Sequence, residues 1–209
     1  ASVDGTTLTV TPAADYNGDI TVNVIASDGQ GSGSGSFTLT VNPINDAPVI
    51  GALDNQSIAE DTSLTLELSA SDIDSNSLTF SATNGDSEIV VDGSTLTITP
   101  PANYNGSEDV IVTVSDGELS DSTTFTLTVT PVNDAPTLDD LADANVDEDG
   151  IYTLELSGAD IDGDVLTFLA SVDANGYAIV SGSTLTVIPA ADYNGDITVN
   201  VIASDGQAS

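Results

Sequence analysis

Asparagine and aspartate recur in this chain in fixed patterns. Asn45-Asp46 lies in "PINDAP" and Asn133-Asp134 in "PVNDAP", 88 positions later. "SDIDSN" (71–76) and "ADIDGD" (159–164) each carry an Asp-x-Asp step, Asp72 with Asp74 and Asp160 with Asp162. "SDG" sets Asp28, Asp116 and Asp205 at strand ends, and Glu60-Asp61 and Glu148-Asp149 stand near the start of each unit. A hard cation such as Ca²⁺ takes about six to eight oxygens, carboxylates among them. An Asp-x-Asp step on a non-helical segment can aim both carboxylates at one ion. The EF-hand loop is excluded: counting from Asp72, its glycine and glutamate positions hold Ser77 and Thr83, and from Asp160 they hold Val165 and Ser171. Any single Asp reads better as a turn former and solvated charge than as a ligand. The co-recurring set is what points to a metal.

Composition narrows the chemistry further. The 209 residues include 34 Asp plus Glu and no Lys, Arg or His, for a formal charge of −34. Such a surface repels nucleic acid and anionic membranes, whose binding requires protein cations. Each bound Ca²⁺ would cancel two charges and relieve self-repulsion. Without His, Cys or Lys there is no Ser-His-Asp or Cys-His nucleophile, no Schiff base and no soft-metal site. Paired carboxylates could serve glycoside hydrolysis, but no positive group or aromatic wall accompanies them, so no enzyme is expected. No apolar run approaches the roughly 18–20 residues of a membrane span.

The elements that must position these residues are repeats. "EDTSLTLELSASDIDSNSLTF" (60–80) faces "EDGIYTLELSGADIDGDVLTF" (148–168). "DGTTLTVTPAADYNGDITVNVIASDG" (4–29), "DGSTLTITPPANYNGSEDVIVTVSDG" (92–117) and "SGSTLTVIPAADYNGDITVNVIASDG" (181–206) form a second set. The expected organisation is the back half of one repeat (1–47), a complete repeat (48–135) and a third lacking its last strand (136–209). Either the natural chain continues, or a neighbouring chain completes the partial units. Within a repeat the apolar period is two: Phe125, Leu127 and Val129; Phe37, Leu39 and Val41; Val110, Val112 and Val114; Leu96 and Ile98 before Pro100. Asn-Gly, Asp-Gly and Pro punctuate these runs. About seven short strands per repeat predict an all-β fold of tandem immunoglobulin-like antiparallel sandwiches joined by short stiff linkers.

The Asn-Asp-Ala-Pro linker, the Asp-x-Asp and the Asp-Gly after "TVS" or "VIAS" together resemble the cadherin repeat. More closely, they are similar to the cadherin-like tandem domains of giant secreted, RTX-type bacterial surface adhesins. The resemblance implies Ca²⁺ shared at domain joints. One joint would use Asn45, Asp46, Asp72, Asp74 and Asp116, the next Asn133, Asp134, Asp160, Asp162 and Asp205, and Asp28 would belong to a joint before Ala1. Glu60 and Glu148 match the family's early Glu, which reaches the following joint. Pro43 and Pro131 replace a linker Asp, and "PPANYNG" or "PAADYNG" replaces a Leu-Asp-Arg-Glu element. These departures imply one or two ions per joint rather than three.

Tyr16, Tyr104 and Tyr193 in "YNG" fit a tyrosine-corner role, with sugar stacking as the sharper alternative. Asn55 and Asn105 head glycosylation sequons, a short and weak match. "GQGSGSGS" (29–36) reads as a flexible hairpin tip. The expected function is a calcium-rigidified extracellular spacer in a cell-surface adhesin or biofilm fibre. The expected partners are Ca²⁺ and neighbouring repeats. A self-assembling filament and a polysaccharide-binding module are the alternatives.

Overall fold

The computed structural model describes residues 1–208. It is all-β, with no helix among the described residues. It divides into two compact units, Ala1–Pro101 with Gly106–Val129, and Ala102–Asn105 with Thr130–Ser209.

In the first unit, residues 1–47 supply two hairpins. Strand β1 (Ser2–Asp4) pairs with β2 (Thr7–Thr9), and β3 (Gly18–Ser27) with β4 (Ser32–Val41). The segment expected to be a loose tip is mostly strand: Ser32–Ser36 lie in β4, in register with β3 from Ser27↔Ser32 to Asn23↔Ser36. Backbone pairing along β3 organises a sequence whose side chains favour no element. Nine strands follow: β5 (Val49–Ile50), β6 (Gln56–Ala59), β7 (Leu64–Glu67), β8 (Ala70–Ser71), β9 (Thr79–Thr83), β10 (Glu88–Asp92), β11 (Thr95–Thr99), β12 (Gly106–Ser115) and β13 (Ser120–Thr130). They form a three-stranded sheet β10-β11-β7, a four-stranded sheet β6-β13-β12-β9 and the short pair β5-β8. Alternate residues of the two larger sheets make the core. Leu96, Ile98, Val110, Val112, Val114 and Leu127 are 0 % exposed, and Phe125 is 1 % exposed. Each such side chain contributes about 1.5–3 kcal/mol on burial.

The second unit repeats the plan with β14 (Thr137–Leu138), β15 (Tyr152–Glu155), β16 (Gly158–Ala159), β17 (Thr167–Val172), β18 (Gly176–Ser181), β19 (Thr184–Pro189) and β20 (Val199–Ser204). Sheet β15-β19-β18 faces the pair β17-β20 across a core built on Leu156, Leu185 and Val187, with Phe168, Val199 and Val201 packed against it. The hairpins β1-β2, β10-β11 and β18-β19 close with Gly5, Gly93 and Gly182 at φ near 60° (60°, 60° and 64°). A positive φ at the first of two turn residues is the type II′ position, where glycine carries no Cβ penalty.

Candidate metal centre

The "SDG" aspartates cap the turns they sit in. Asp116 Oδ1 accepts the backbone N–H groups of Glu118 and Leu119, both at 2.7 Å. Asp205 Oδ1 accepts those of Gln207 and Ala208 at 2.6 and 2.5 Å, and Asp28 Oδ1 those of Gln30 and Gly31 at 2.9 and 2.7 Å. One carboxylate oxygen therefore builds the loop, and Oδ2 is left to point elsewhere. In two copies the linker asparagine takes it: Asn45 Nδ2 donates to Asp116 Oδ2 and Asn133 Nδ2 to Asp205 Oδ2, each at 2.7 Å. The electrostatics follow the bonds. Asp116 is held below the usual carboxyl range first by the Asn45 amide and then by the Leu119 and Glu118 N–H groups. Asp205 is lowered first by the Ala208 N–H and then by Asn133. Asp28 is lowered by the Gly31 and Gln30 N–H groups.

The Asp-x-Asp loops follow the same rule. Asp72 Oδ1 accepts the N–H groups of Asp74 and Ser75 at 2.8 and 2.7 Å. Asp160 Oδ1 accepts those of Asp162 and Asp164 at 2.9 and 3.2 Å. The second Asp of each step reaches the linker backbone: Asp74 Oδ2 accepts the Asp46 N–H and Asp162 Oδ2 the Asp134 N–H, both at 2.8 Å. The remaining oxygens, Asp72 Oδ2 and Asp160 Oδ2, are buried and have no hydrogen-bond partner. A buried carboxylate oxygen without a donor is costly. Because the chain has no cationic side chain, no internal salt bridge can serve either oxygen.

The donor set fits a hard cation: carboxylate and amide oxygens, non-helical loops, and a repeated buried oxygen without a donor. Within each unit, no three of these carboxylates bring oxygens within 4.8 Å of one another. The residues singled out from sequence fall into distinct places. Hydrogen bonds join Asn45 to Asp116 and Asp46 to Asp74 in one unit, and Asn133 to Asp205 and Asp134 to Asp162 in the other. Asp28 stands in the exposed β3–β4 turn, apart from these pairs. Glu148 is exposed in the turn before Asp149. Glu60, after β6, is 3 % exposed, the one buried charged side chain among the described residues.

Several other acidic and polar residues sit in turns. Asp15, Asp61, Asn103, Asp149 and Asp192 all take a left-handed backbone, with φ between 56° and 64°. Tyr16 Oη donates to the Asp19 carbonyl at 3.0 Å and Tyr193 Oη to the Asp196 carbonyl at 3.1 Å. The tyrosine lies over the following glycine, since a Cβ on Gly195 would sit 2.8 Å from Tyr193 Oη. That explains why "YNG" recurs as a triplet. Asn55 Oδ1 accepts the Thr126 N–H at 2.9 Å, so its first sequon side chain is engaged in the fold. Sequence reasoning missed two residues. Gln207 donates from Nε2 to Asn133 Oδ1 at 2.9 Å; "SDGQ" sits beside the SDG motif, but nothing in it signals a long-range bond. Tyr177 on β18 is 70 % exposed, and its place in a strand without a turn motif gave no cue.

Comparison with known proteins places these loops in context. Chitinase A of Pseudoalteromonas piscicida is 32 % identical over 169 residues, covering 78 % of this chain and 20 % of that protein. The chain thus spans about a fifth of the length of this curated relative. Among solved structures, mouse protocadherin-24 EC1-3 is 13 % identical over 83 % of this chain and 66 % of that one, with a TM-score of 0.47. Drosophila N-cadherin EC1-4 is 17 % identical over 90 % of this chain and 56 % of that one, with a TM-score of 0.45. The bacterial Ig domain family matches residues 45–130 and 133–209, so each match opens at or beside a linker asparagine. On that match over most of its length, with the tandem immunoglobulin-like sandwiches described above, the chain belongs to the bacterial Ig domain family.

Proposed function

We propose that this chain is a non-catalytic, calcium-stiffened spacer in an extracellular protein, an adhesin or surface fibre, holding a distal domain away from the cell. The observation that carries the reading is the recurrence of a buried carboxylate oxygen without a donor, Asp72 Oδ2 and Asp160 Oδ2, beside the linker-bound partners Asp74 and Asp162. Asn45, Asp72, Asp74 and Asp116 would hold one cation, and Asn133, Asp160, Asp162 and Asp205 another. A bound Ca²⁺ supplies positive charge that the sequence lacks and oxygen coordination that fixes the loops. In each unit the linker Asn and the following backbone N–H are already tied to the repeat they enter. Cation binding at that position would hold the linker in one direction and reduce hinge freedom along a string of repeats.

Titrating Ca²⁺ into the full chain tests this, with heat of binding and thermal midpoint followed together. Saturable binding should raise stability by about 2.7 kcal/mol at a hundredfold excess over Kd. Asp72→Ala and Asp160→Ala should each remove part of the signal. No binding at millimolar Ca²⁺, or binding that leaves midpoint and end-to-end dimensions unchanged, defeats the proposal.

A second reading has its own observation. The Chitinase A match supports a spacer or sugar-contacting region within a polysaccharide-degrading enzyme. Tyr177, 70 % exposed, and Ile179, 57 % exposed, stand on β18, while Tyr16 and Tyr193 are committed to their turns. Retention on insoluble chitin that is lost in Tyr177→Ala would favour this reading; retention unchanged by the substitution, or none at all, would remove it.

A further inference from the structure

The two linker asparagines make the same first bond but not the same second one. Nδ2 of Asn45 and of Asn133 each donates to an "SDG" carboxylate at 2.7 Å. A carboxylate only accepts, so the amide orientation of both asparagines is fixed and Oδ1 is the atom left over. In the second unit that oxygen accepts Gln207 Nε2 at 2.9 Å. The counterpart of Gln207 in the first unit is Glu118. The two residues occupy the same place in their loops: Gln207 N donates to Asp205 Oδ1 at 2.6 Å, and Glu118 N to Asp116 Oδ1 at 2.7 Å. A glutamate has no proton to give at neutral pH, so it cannot repeat the Gln207 bond. Asn45 Oδ1 and the Glu118 carboxylate are both acceptors, so neither can serve the other and the Asn45 oxygen stays open to a cation.

Resting on the calcium reading above, we infer that Gln207 is an internal substitute for the cation, so that the Asn45 site is calcium-demanding and the Asn133 site is latched without calcium. For Asn133 to offer Oδ1 to an ion, the Gln207 amide must first let go. At the Asn45 site the same loop position holds a glutamate, which offers no such competing donor. Charge count does not explain the contrast, because Asp164 stands where the first unit has Asn76. Counting Asp46, Asp72, Asp74, Asp116 and Glu118 against Asp134, Asp160, Asp162, Asp164 and Asp205, the two sets carry equal charge. What differs is the residue at that loop position, a glutamine bonded to the asparagine oxygen in one unit and a glutamate in the other. Displacing one neutral hydrogen bond weakens binding by about fivefold. Calcium at falling concentration would therefore leave the Asn133 site first, where the internal latch holds the linker in its place.

Calorimetric Ca²⁺ titration of the full chain reads this directly. Wild type should show two classes of site about fivefold apart. Asp72→Ala should remove the tighter class and Asp160→Ala the weaker. Gln207→Glu should tighten the weaker class toward the other and, without Ca²⁺, lower the thermal midpoint. Glu118→Gln should loosen the tighter class and raise the midpoint without Ca²⁺. Wild-type binding in one indistinguishable class, or a weaker class that Gln207→Glu leaves in place, overturns the latch while keeping the calcium reading. Absence of any wild-type binding overturns the calcium reading and the latch together.

Discussion

Residues 12–30 and 189–207 are identical in sequence, yet they fold to different extents. In the first copy the segment forms the ten-residue strand β3, paired along its whole length with β4. In the second it forms the six-residue strand β20, paired with β17 instead. Burial shifts with the partner. Val24 is 39 % exposed and Ala26 exposed, whereas their counterparts Val201 and Ala203 are half-buried and buried. One sequence thus gives two strand lengths and two burial patterns. Strand propensity is a weak local preference that neighbouring strands override. What survives both contexts is the turn chemistry: the tyrosine hydroxyl to the carbonyl three residues on, and the aspartate cap on "SDG".

The strands β12 and β13 show the same pairing set in a wider sheet. Val22 and Phe37 pair across β3 and β4 as Val110 and Phe125 do across β12 and β13. Phe125 is 1 % exposed, while Phe37 is 47 % exposed. Among the described residues, β3 and β4 form a two-stranded sheet of their own, whereas β12 and β13 are the centre of a four-stranded one. The largest effect that can break or sharpen the contrast is therefore truncation of these two phenylalanines. Phe125→Ala should destabilise the first unit by about 3–5 kcal/mol, and Phe37→Ala by less than about 1 kcal/mol. Urea unfolding followed by circular dichroism measures both. Similar losses would mean that the hairpin is packed as tightly as the core strands.

The same contrast separates what was legible in the sequence from what was not. Period-two runs placed β11, β12 and β13 because Leu96 and Ile98, then Val110, Val112 and Val114, then Phe125, Leu127 and Val129 recur at every second position. They could not say that Phe37 would be exposed, because exposure depends on strands outside the run. The recurring Asn and Asp were legible because each must meet a fixed loop; their pairing, Asn45 with Asp116 and Asp46 with Asp74, spans 71 and 28 residues. Gln207 was not legible as a partner of Asn133, since a single glutamine carries no periodicity and its bond spans 74 residues. The serine-glycine tract was misread for the opposite reason. Its composition suggests a loop, and only pairing with β3 makes it strand.

A smaller effect tests the part that does not change between copies. If the tyrosine turn is autonomous, Tyr16→Phe and Tyr193→Phe should cost the same, about 0.5–1.5 kcal/mol each. Each substitution removes one hydroxyl-to-carbonyl bond, of 3.0 and 3.1 Å. Thermal unfolding of the two variants would settle it. A clearly larger loss at Tyr193 would show that the surrounding sandwich, and not the triplet itself, gives the bond its value.

The smallest effect concerns the aspartates at the ends of the identical segment. Asp28 and Asp205 both titrate below the ordinary range, each led by the turn N–H three residues on, but they differ in what comes next. Asp28 relies on the Gly31 and Gln30 N–H groups, whereas Asp205 adds the Asn133 amide to its own turn. Both folded-state values are depressed, so their stabilisation is present above the unfolded value of about 3.9. It is lost as pH falls from there through the folded value. Carboxyl ¹³C chemical shifts against pH should show both groups still ionised where a free aspartate is half protonated. Asn133→Ala should then move Asp205 upward toward ordinary behaviour and leave Asp28 unmoved. If Asp205 does not move, its turn alone sets its acidity, and the linker bond is a consequence of the ionised carboxylate rather than a cause.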